Sequence, residues 1–302
     1  MDIVSEIRKM KRSKEAIILA HNYQLPEVQD IADFVGDSLG LSIQASGTDA
    51  KTIVFCGVHF MAETAKILSP GKTVLLPDLG AGCPMADMIA AEDVRTLRKE
   101  HPHAKVLCYV NTSAEVKAQC DMCCTSANAE SMVRAIMKEG RKVIFVPDKH
   151  LAGYTAEKTG CEIIPWKGFC PTHVKILEQD ILEAKRLHED AIVLAHPECS
   201  PAVRHRADKV LSTEAMCLYA KDLSAAEFII ATEVGIIHRM RKENPGKRFY
   251  PATERAVCPN MKRITLEKVY SALEGMRHEI TLPREIMGGA RQCIRSMLEY
   301  RA

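Results

Sequence analysis

Short apolar runs that end in polar residues punctuate the chain. "AIILAHNY" (Ala16–Tyr23), "AKVLCYVN" (Ala104–Asn111) and "DAIVLAHPE" (Asp190–Glu198) are the clearest. Their length and their content of Ile, Val and Leu predict buried strands. A stretch with helical spacing follows, as in "PEVQDIADFVGDS" and "PAVRHRADKVLST". A second β-rich run comes next ("KTIVFCG", "RKVIFVPD", "EFIIATE"), then a helix-like piece ("MAETAKIL", "AGYTAEKTG", "GIIHRMRKEN") and a third short strand ("KTVLLPD", "CEIIPW", "KRFYPA"). Alternation of this kind predicts parallel sheets covered by helices, an α/β fold.

The same order occurs three times. His21, Tyr109 and His196 stand 88 and 87 residues apart, and so do Tyr23, Asn111 and Glu198. Seventeen residues beyond the first set come Ser38, Ser126 and Thr213, and Cys83, Cys170 and Cys258 repeat at 87 and 88. A period of this size changes the meaning of every motif. It predicts three similar α/β domains, residues 1–84, 85–171 and 172–302, around a pseudo-threefold axis. Ligands of open α/β sheets bind beyond the carboxyl ends of the strands, so the three ends are expected to share one central active site.

Each of those three cysteines, out of twelve in the chain, is followed by proline. Proline suits the first position of a helix, so each thiol is expected at a helix N-terminus, where the dipole favours a thiolate. Three thiolates from distant positions suit an iron-sulfur cluster or a zinc ion. On a cubane cluster they leave one iron without a protein ligand, whereas zinc held by three cysteines is a less usual catalytic set. "CDMCC" (Cys120–Cys124) contains a rival CxxC but no second pair. It is expected on a helix of the second unit, as thiol packing near the site or as a redox-active pair. Cys56, Cys108, Cys161, Cys199, Cys217 and Cys293 read as small buried hydrophobes.

Composition narrows the partners. With 41 basic and 39 acidic residues the formal charge is only +2, without the basic stripe of a nucleic-acid binder. No apolar run reaches the roughly 20 residues that span a bilayer, and "MDIVSEIRKMKRSKE" has no export signal. The expected location is the cytoplasm, where twelve cysteines argue for metal ligation and buried thiols rather than a disulfide framework. "GAG" at Gly80–Gly82 lacks the third glycine of a dinucleotide fingerprint, and GxxxxGK[ST] does not occur.

Ser38, Ser126 and Thr213 each precede a helix-like stretch and fit N-capping. Capped N-termini also bind anions, and three that converge suit a substrate with carboxylates or phosphate. His21, His173 and His196 can titrate near neutrality. Glu198 is a carboxylate beside them, and Tyr23 and Tyr109 are further proton donors or, if ionised, acceptors.

Taken together, "LAHNYQLPEVQDIADFVGDSL", "CYVNTSAEVKA", "GFCPTH", "LAHPEC" and the three Cys-Pro sites resemble the quinolinate synthase family over essentially the whole chain. The resemblance implies condensation of iminoaspartate with dihydroxyacetone phosphate to quinolinate, in NAD biosynthesis, at a 4Fe-4S cluster bound by Cys83, Cys170 and Cys258. It implies substrate contacts from His21, Ser38, Tyr109, Val110, Asn111, Ser126, His196, Pro197, Glu198 and Thr213. Tyr23 and His173 match residues beside the reacting carbons, and an upstream enzyme would supply iminoaspartate. Some members carry a C-terminal CxxCxxC around the third ligand, whereas Cys258 stands alone in "CPNM". The rival expectations are a diphthamide-type cluster enzyme, a hydroxyl-removing cluster reductase and a non-enzymatic iron-sulfur carrier.

Overall fold

The structure, a computed structural model, describes residues 2–299; Met1 and residues 300–302, the outer ends of the first and third expected intervals, lie outside the described residues. One eight-element run occurs three times. The first comprises α1 (Ile3–Ser13), β1 (Ala16–His21), α2 (Pro26–Ile31), β2 (Phe34–Gly36), α3 (Ser38–Gly47), β3 (Thr52–Cys56), α4 (His59–Leu68) and β4 (Thr73–Leu75). The second comprises α5 (Ala91–Glu100), β5 (Lys105–Tyr109), α6 (Ala114–Lys117), β6 (Met122–Cys124), α7 (Ala129–Lys138), β7 (Val143–Val146), α8 (Lys149–Thr159) and β8 (Ile163–Pro165). The third comprises α9 (Glu178–Leu187), β9 (Ile192–Ala195), α10 (Pro201–Arg206), β10 (Lys209–Val210), α11 (Thr213–Asp222), β11 (Glu227–Ala231), α12 (Ile236–Glu243) and β12 (Arg248–Pro251). Two helices complete the chain, α13 (Leu266–Gly275) and α14 (Arg284–Glu299).

Each unit forms a four-stranded parallel sheet, in the orders β2-β1-β3-β4, β6-β5-β7-β8 and β10-β9-β11-β12. The predicted fold class is therefore the observed one. The apolar runs supply the two central strands, where Ile18, Ile53, Val106, Ile144, Leu194 and Ile229 have no solvent exposure. Each such side chain contributes about 1.5–3 kcal/mol relative to leaving it in water. The central pairs also share one register: Ala20 faces Cys56, Cys108 faces Val146 and Ala195 faces Ala231. His21, Tyr109 and His196 consequently leave their sheets at the same level.

The edge strands β2, β6 and β10 depart from the sequence expectation. Their segments read as helical, and "CDMCC" in particular was expected on a helix, but Met122–Cys124 is strand β6. An aspartate that repeats with the same period explains the difference. The side chains of Asp33, Asp121 and Asp208 accept the N–H of Ile18, Val106 and Val193 at 2.7–2.8 Å, while their own N–H groups donate back to the carbonyls of the same residues. Two bonds per aspartate seat a strand too short to be legible from periodicity.

The Cys-Pro pairs open single 3-10 turns, Ala86–Met88, His173–Lys175 and Met261–Arg263, rather than the long helices expected there. Those helices start later, and at α5 and α9 the carboxylates of Asp93 and Asp180 accept the N–H of Ala90 and Leu177 at 2.8 Å and set the true starts. Past each turn the chain passes to the next unit: α5 packs on α6, α9 on β11, and α13 on α1 and β3 of the first unit. Helix α14 packs on β6, α6 and α4. By sequence α13 and α14 belong to the third interval, whereas by packing they join the ring to the first and second. No helix among the described residues is long and apolar enough to cross a membrane.

Candidate active site

A cavity of about 160 Å³ lies where the carboxyl ends of the three sheets meet. His21, Tyr23, Ser38, Cys83, Tyr109, Asn111, Ser126, Cys170, His173, His196, Glu198, Thr213 and Cys258 all line it. Val110 and Pro197 do not: both are buried beside lining residues, and the Val110 N–H is taken by the Cys124 carbonyl.

The strand ends fix the two equivalent histidines alike. The Tyr23 N–H donates to His21 Nδ1 at 3.2 Å, and the Glu198 N–H donates to His196 Nδ1 at 3.3 Å. With Nδ1 accepting, the proton of a neutral ring sits on Nε2. Burial pushes both imidazoles down to about 3, aided at His21 by His196 and Lys262, and at His196 by His173. Both are therefore neutral hydrogen-bond donors rather than groups that titrate near neutrality, which corrects the sequence expectation.

A continuous chain of hydrogen bonds crosses the cavity wall. Tyr109 donates to Glu198 Oε1 at 2.5 Å, and Glu198 Oε2 lies 2.9 Å from His173 Nδ1. His173 Nε2 is 2.8 Å from Thr232 Oγ1, which is 2.5 Å from the Tyr23 hydroxyl. With the His173 Nδ1 hydrogen on Glu198 and Nε2 accepting, every donor points one way: Tyr23 to Thr232, Thr232 to His173, His173 to Glu198. Burial pushes Glu198 up, but the neighbouring His173 and the Tyr109 hydroxyl hold its carboxyl below the usual range. Burial and the charge of Glu198 push both tyrosines well above their ordinary value, so they are proton donors here.

The three hydroxyl residues are not the helix caps. Asp37 caps α3 by accepting the Gly40 N–H at 2.8 Å, and Ser212 caps α11 by accepting the Ala215 N–H at 3.4 Å. Before α7, Asn128 Oδ1 accepts the Thr125 N–H at 2.8 Å. Ser38 and Thr213 are the first helical residues and Ser126 lies in the preceding turn. Their hydroxyls stay on the cavity, with Thr213 Oγ1 accepting from Asn22 Nδ2 at 3.0 Å. Asn111 Oδ1 is buried without a partner among the described residues.

The three thiols that line the cavity have the chemistry of soft-metal ligands. Backbone N–H groups two and three residues on face each sulfur, from Met85 and Ala86 at Cys83, Thr172 and His173 at Cys170, and Asn260 and Met261 at Cys258. Burial pushes Cys83 up to about 12 and raises Cys170 and Cys258, so the free sulfurs are thiols. A bound cation would turn them into thiolates, which the N–H donors are placed to stabilise. Ligand atoms of Cys170, His173 and Glu198 also lie within 4.8 Å of one another. Cys120 and Cys123 do not line this cavity; they pack with Cys108 and Cys293 behind β5.

Sequence reasoning missed Thr232, Glu233 and Lys262. Thr232 and Glu233 stand just past β11, but what brings them to the site is contact with Tyr23, His173 and Cys258 from distant parts of the chain.

Fold and site together define a threefold α/β enzyme with one site built from the carboxyl ends of three parallel sheets. The family described as Quinolinate synthetase A protein matches residues 5–299. The chain is 51% identical over 297 residues to a quinolinate synthase of Methanosarcina barkeri, covering 98% of this chain and 97% of that protein. It is 53% identical over 297 residues to one of Desulforudis audaxviator, covering 98% of each, and 48% identical over 301 residues to one of Alkaliphilus metalliredigens, covering 99% of each. The chain belongs to the quinolinate synthase family.

Proposed function

We propose that this cavity condenses iminoaspartate with dihydroxyacetone phosphate, giving quinolinate, phosphate and two waters, as a cytoplasmic step of NAD biosynthesis fed by a separate iminoaspartate-producing enzyme. Cys83, Cys170 and Cys258 would hold a 4Fe-4S cluster. When bound, the cluster supplies a Lewis-acidic iron for substrate oxygen, with no net redox change.

The protein's own groups divide the remaining work. Both substrates are anions; Ser38 and Thr213 offer hydroxyls at helix starts, where backbone N–H groups and the dipole favour negative charge, and Ser126 offers one from the turn before α7. His21 and His196 offer Nε2–H donors to carboxylate or carbonyl oxygen. Proton removal beside a carbonyl or imine needs a positioned base within reach. Glu198 is the ionised, accepting end of the Tyr23–Thr232–His173–Glu198 chain, so it can take a proton directly, and a proton arriving at Tyr23 can pass along the chain to it.

The observation that carries this reading is that the three thiols line the same cavity as Tyr23, His173 and Glu198 of that hydrogen-bonded chain. Anaerobically reconstituted protein is expected to form quinolinate from the two substrates, and metal-free protein to form none. Product from metal-free protein, or none from protein with a full cluster, overturns it. Zinc in place of iron in the isolated protein would favour the single-cation arrangement at Cys170, His173 and Glu198.

A further inference from the structure

Where the first unit abuts the third, a buried junction lies outside the chain of groups described above. Glu233, two residues past β11 and fully buried, accepts the Cys258 N–H on Oε1 at 3.1 Å and the Gly235 N–H on Oε2 at 2.7 Å. Lys262, in the turn that follows Cys258, pairs with Glu233 Oε1 at 2.9 Å, and the same ammonium donates to the Tyr23 carbonyl. Gly235 permits the approach: a Cβ there would lie 2.6 Å from Lys262 Nζ, 2.8 Å from Glu233 Oε2 and 2.9 Å from the Tyr23 carbonyl carbon. Gln29 closes the far side by donating to the Gly235 and Gln24 carbonyls, both at 2.9 Å.

Stability alone is a poor explanation for such a pair, because desolvating two charges offsets much of their attraction. Comparison of the units suggests another. Val58 and Asp148 occupy the positions equivalent to Glu233, two residues past β3 and β7. Val58 has no carboxylate; Asp148 accepts the N–H groups of His150 and Leu151 at 2.7 and 2.8 Å, with no Lys or Arg paired to it among the described residues. Only the third unit adds a cation, and that cation reaches into the first.

We infer that Glu233, Lys262 and Gly235 are positioning residues that fix Cys258 relative to Tyr23, so that a cluster ligand of one unit and a reactive hydroxyl of another keep their spacing. The inference rests on the function proposed above for the roles of those two residues. One arm of the junction, the ammonium on the Tyr23 carbonyl, governs the tyrosine. The other, the carboxylate on the Cys258 N–H, governs the ligand loop.

The two arms separate in experiment. Lys262→Met is expected to lower kcat roughly 10- to 100-fold, the scale of a misplaced reacting group. KM should change less than about threefold and iron and sulfide per chain should stay at the parent value, because substrate-binding hydroxyls and thiols are untouched. Lys262→Arg should restore part of kcat. Gly235→Ala, which keeps both charges but crowds Nζ, the Glu233 carboxylate and the Tyr23 carbonyl apart, should repeat the kcat loss if Lys262→Met folds poorly. In the charge-free pair Glu233→Leu/Lys262→Met, iron should pass to a chelator several times faster than in the parent. A kcat within twofold of the parent in folded Lys262→Met or Gly235→Ala overturns the proposal. So does parent-like iron retention in the double variant, or a lowered Tm with kcat unaltered. A parent protein that loads iron but makes no quinolinate would instead refute the proposed function, and chelator kinetics would still read the junction.

Discussion

Tyr109 of the second unit donates its hydroxyl proton to Glu198 Oε1 of the third across 2.5 Å. The bond holds a carboxylate that would otherwise be buried against its preference. His173 grips the other oxygen at 2.9 Å, so the charge of Glu198 is shared by two donors from different segments. Glu198→Gln keeps the shape and removes the charge. It is expected to lower kcat by roughly 10²-fold or more, the usual worth of a positioned acid or base, with iron content unchanged. Tyr109→Phe should cost less, since His173 still holds the carboxylate. Steady-state kinetics on iron-quantified protein checks both, and a Glu198→Gln enzyme as fast as the parent removes Glu198 from the chemistry.

The hydroxyls at the helix starts can be told apart from the caps beside them. Ser38→Ala, Ser126→Ala and Thr213→Val remove groups that face the cavity but bear no cap. Each should raise KM for one substrate by about five- to tenfold, the effect of one hydrogen bond of about 1 kcal/mol; Ser38→Ala and Ser126→Ala should leave Tm nearly unchanged, whereas Thr213→Val also strands the buried Asn22 amide and should lower it. Ser212→Ala, at a cap that does not line the cavity, should do the reverse, costing about 1 kcal/mol of stability through the lost cap. Stability losses in Ser38→Ala and Ser126→Ala equal to that of the cap variant would return those two hydroxyls to a capping role.

How far the sequence reached is visible in these residues. Strand ends separated by 88 and 87 positions were legible because a buried strand needs a continuous apolar run, which survives in any unit that keeps the fold. The short edge strands were not, since two or three residues carry no period and owe their place to Asp33, Asp121 and Asp208. At the site, the cysteines and strand-end residues stood out by repetition. Thr232 and Lys262 did not, because what marks them is contact across units: Thr232 meets Tyr23 from 209 positions away, and Lys262 meets the Tyr23 carbonyl from 239. Contacts of that range depend on how the units pack, which no local pattern encodes.

Acid should weaken the cluster-free fold through His21 and His196. Burial lowers each imidazole from 6.5 to about 3. Between those values the unfolded chain binds more protons than the folded one, so stability is full above about pH 6.5 and is lost as pH falls through the window. The slope is at most roughly 1.4 kcal/mol per pH unit for each histidine. Asn can accept the same backbone N–H without titrating. His21→Asn/His196→Asn should therefore lose less Tm than the parent between pH 7 and pH 5. Parallel curves would mean that the two rings are not buried neutral in solution.

Gly168 offers a test of how the ligand turns are held. It lies two residues before Cys170, its carbonyl accepts the Lys149 N–H at 2.9 Å, and it bridges to Asp148. A Cβ at this position would stand 2.5 Å from the Pro147 carbonyl oxygen and 3.4 Å from Met88 Cβ. The nearer atom is backbone, so Gly168→Ala must shift the segment that carries Cys170, and overpacking of this kind costs roughly 1–3 kcal/mol. A lower Tm and less iron per chain are expected together, because the displaced turn is the one that presents the thiol. Gly153→Ala, inside α8 with nothing within 4 Å, is the matched control; it should gain up to about 1 kcal/mol from helix propensity and keep its iron. If Gly168→Ala matched the parent in both Tm and iron, the close approach to Pro147 would not be what positions Cys170.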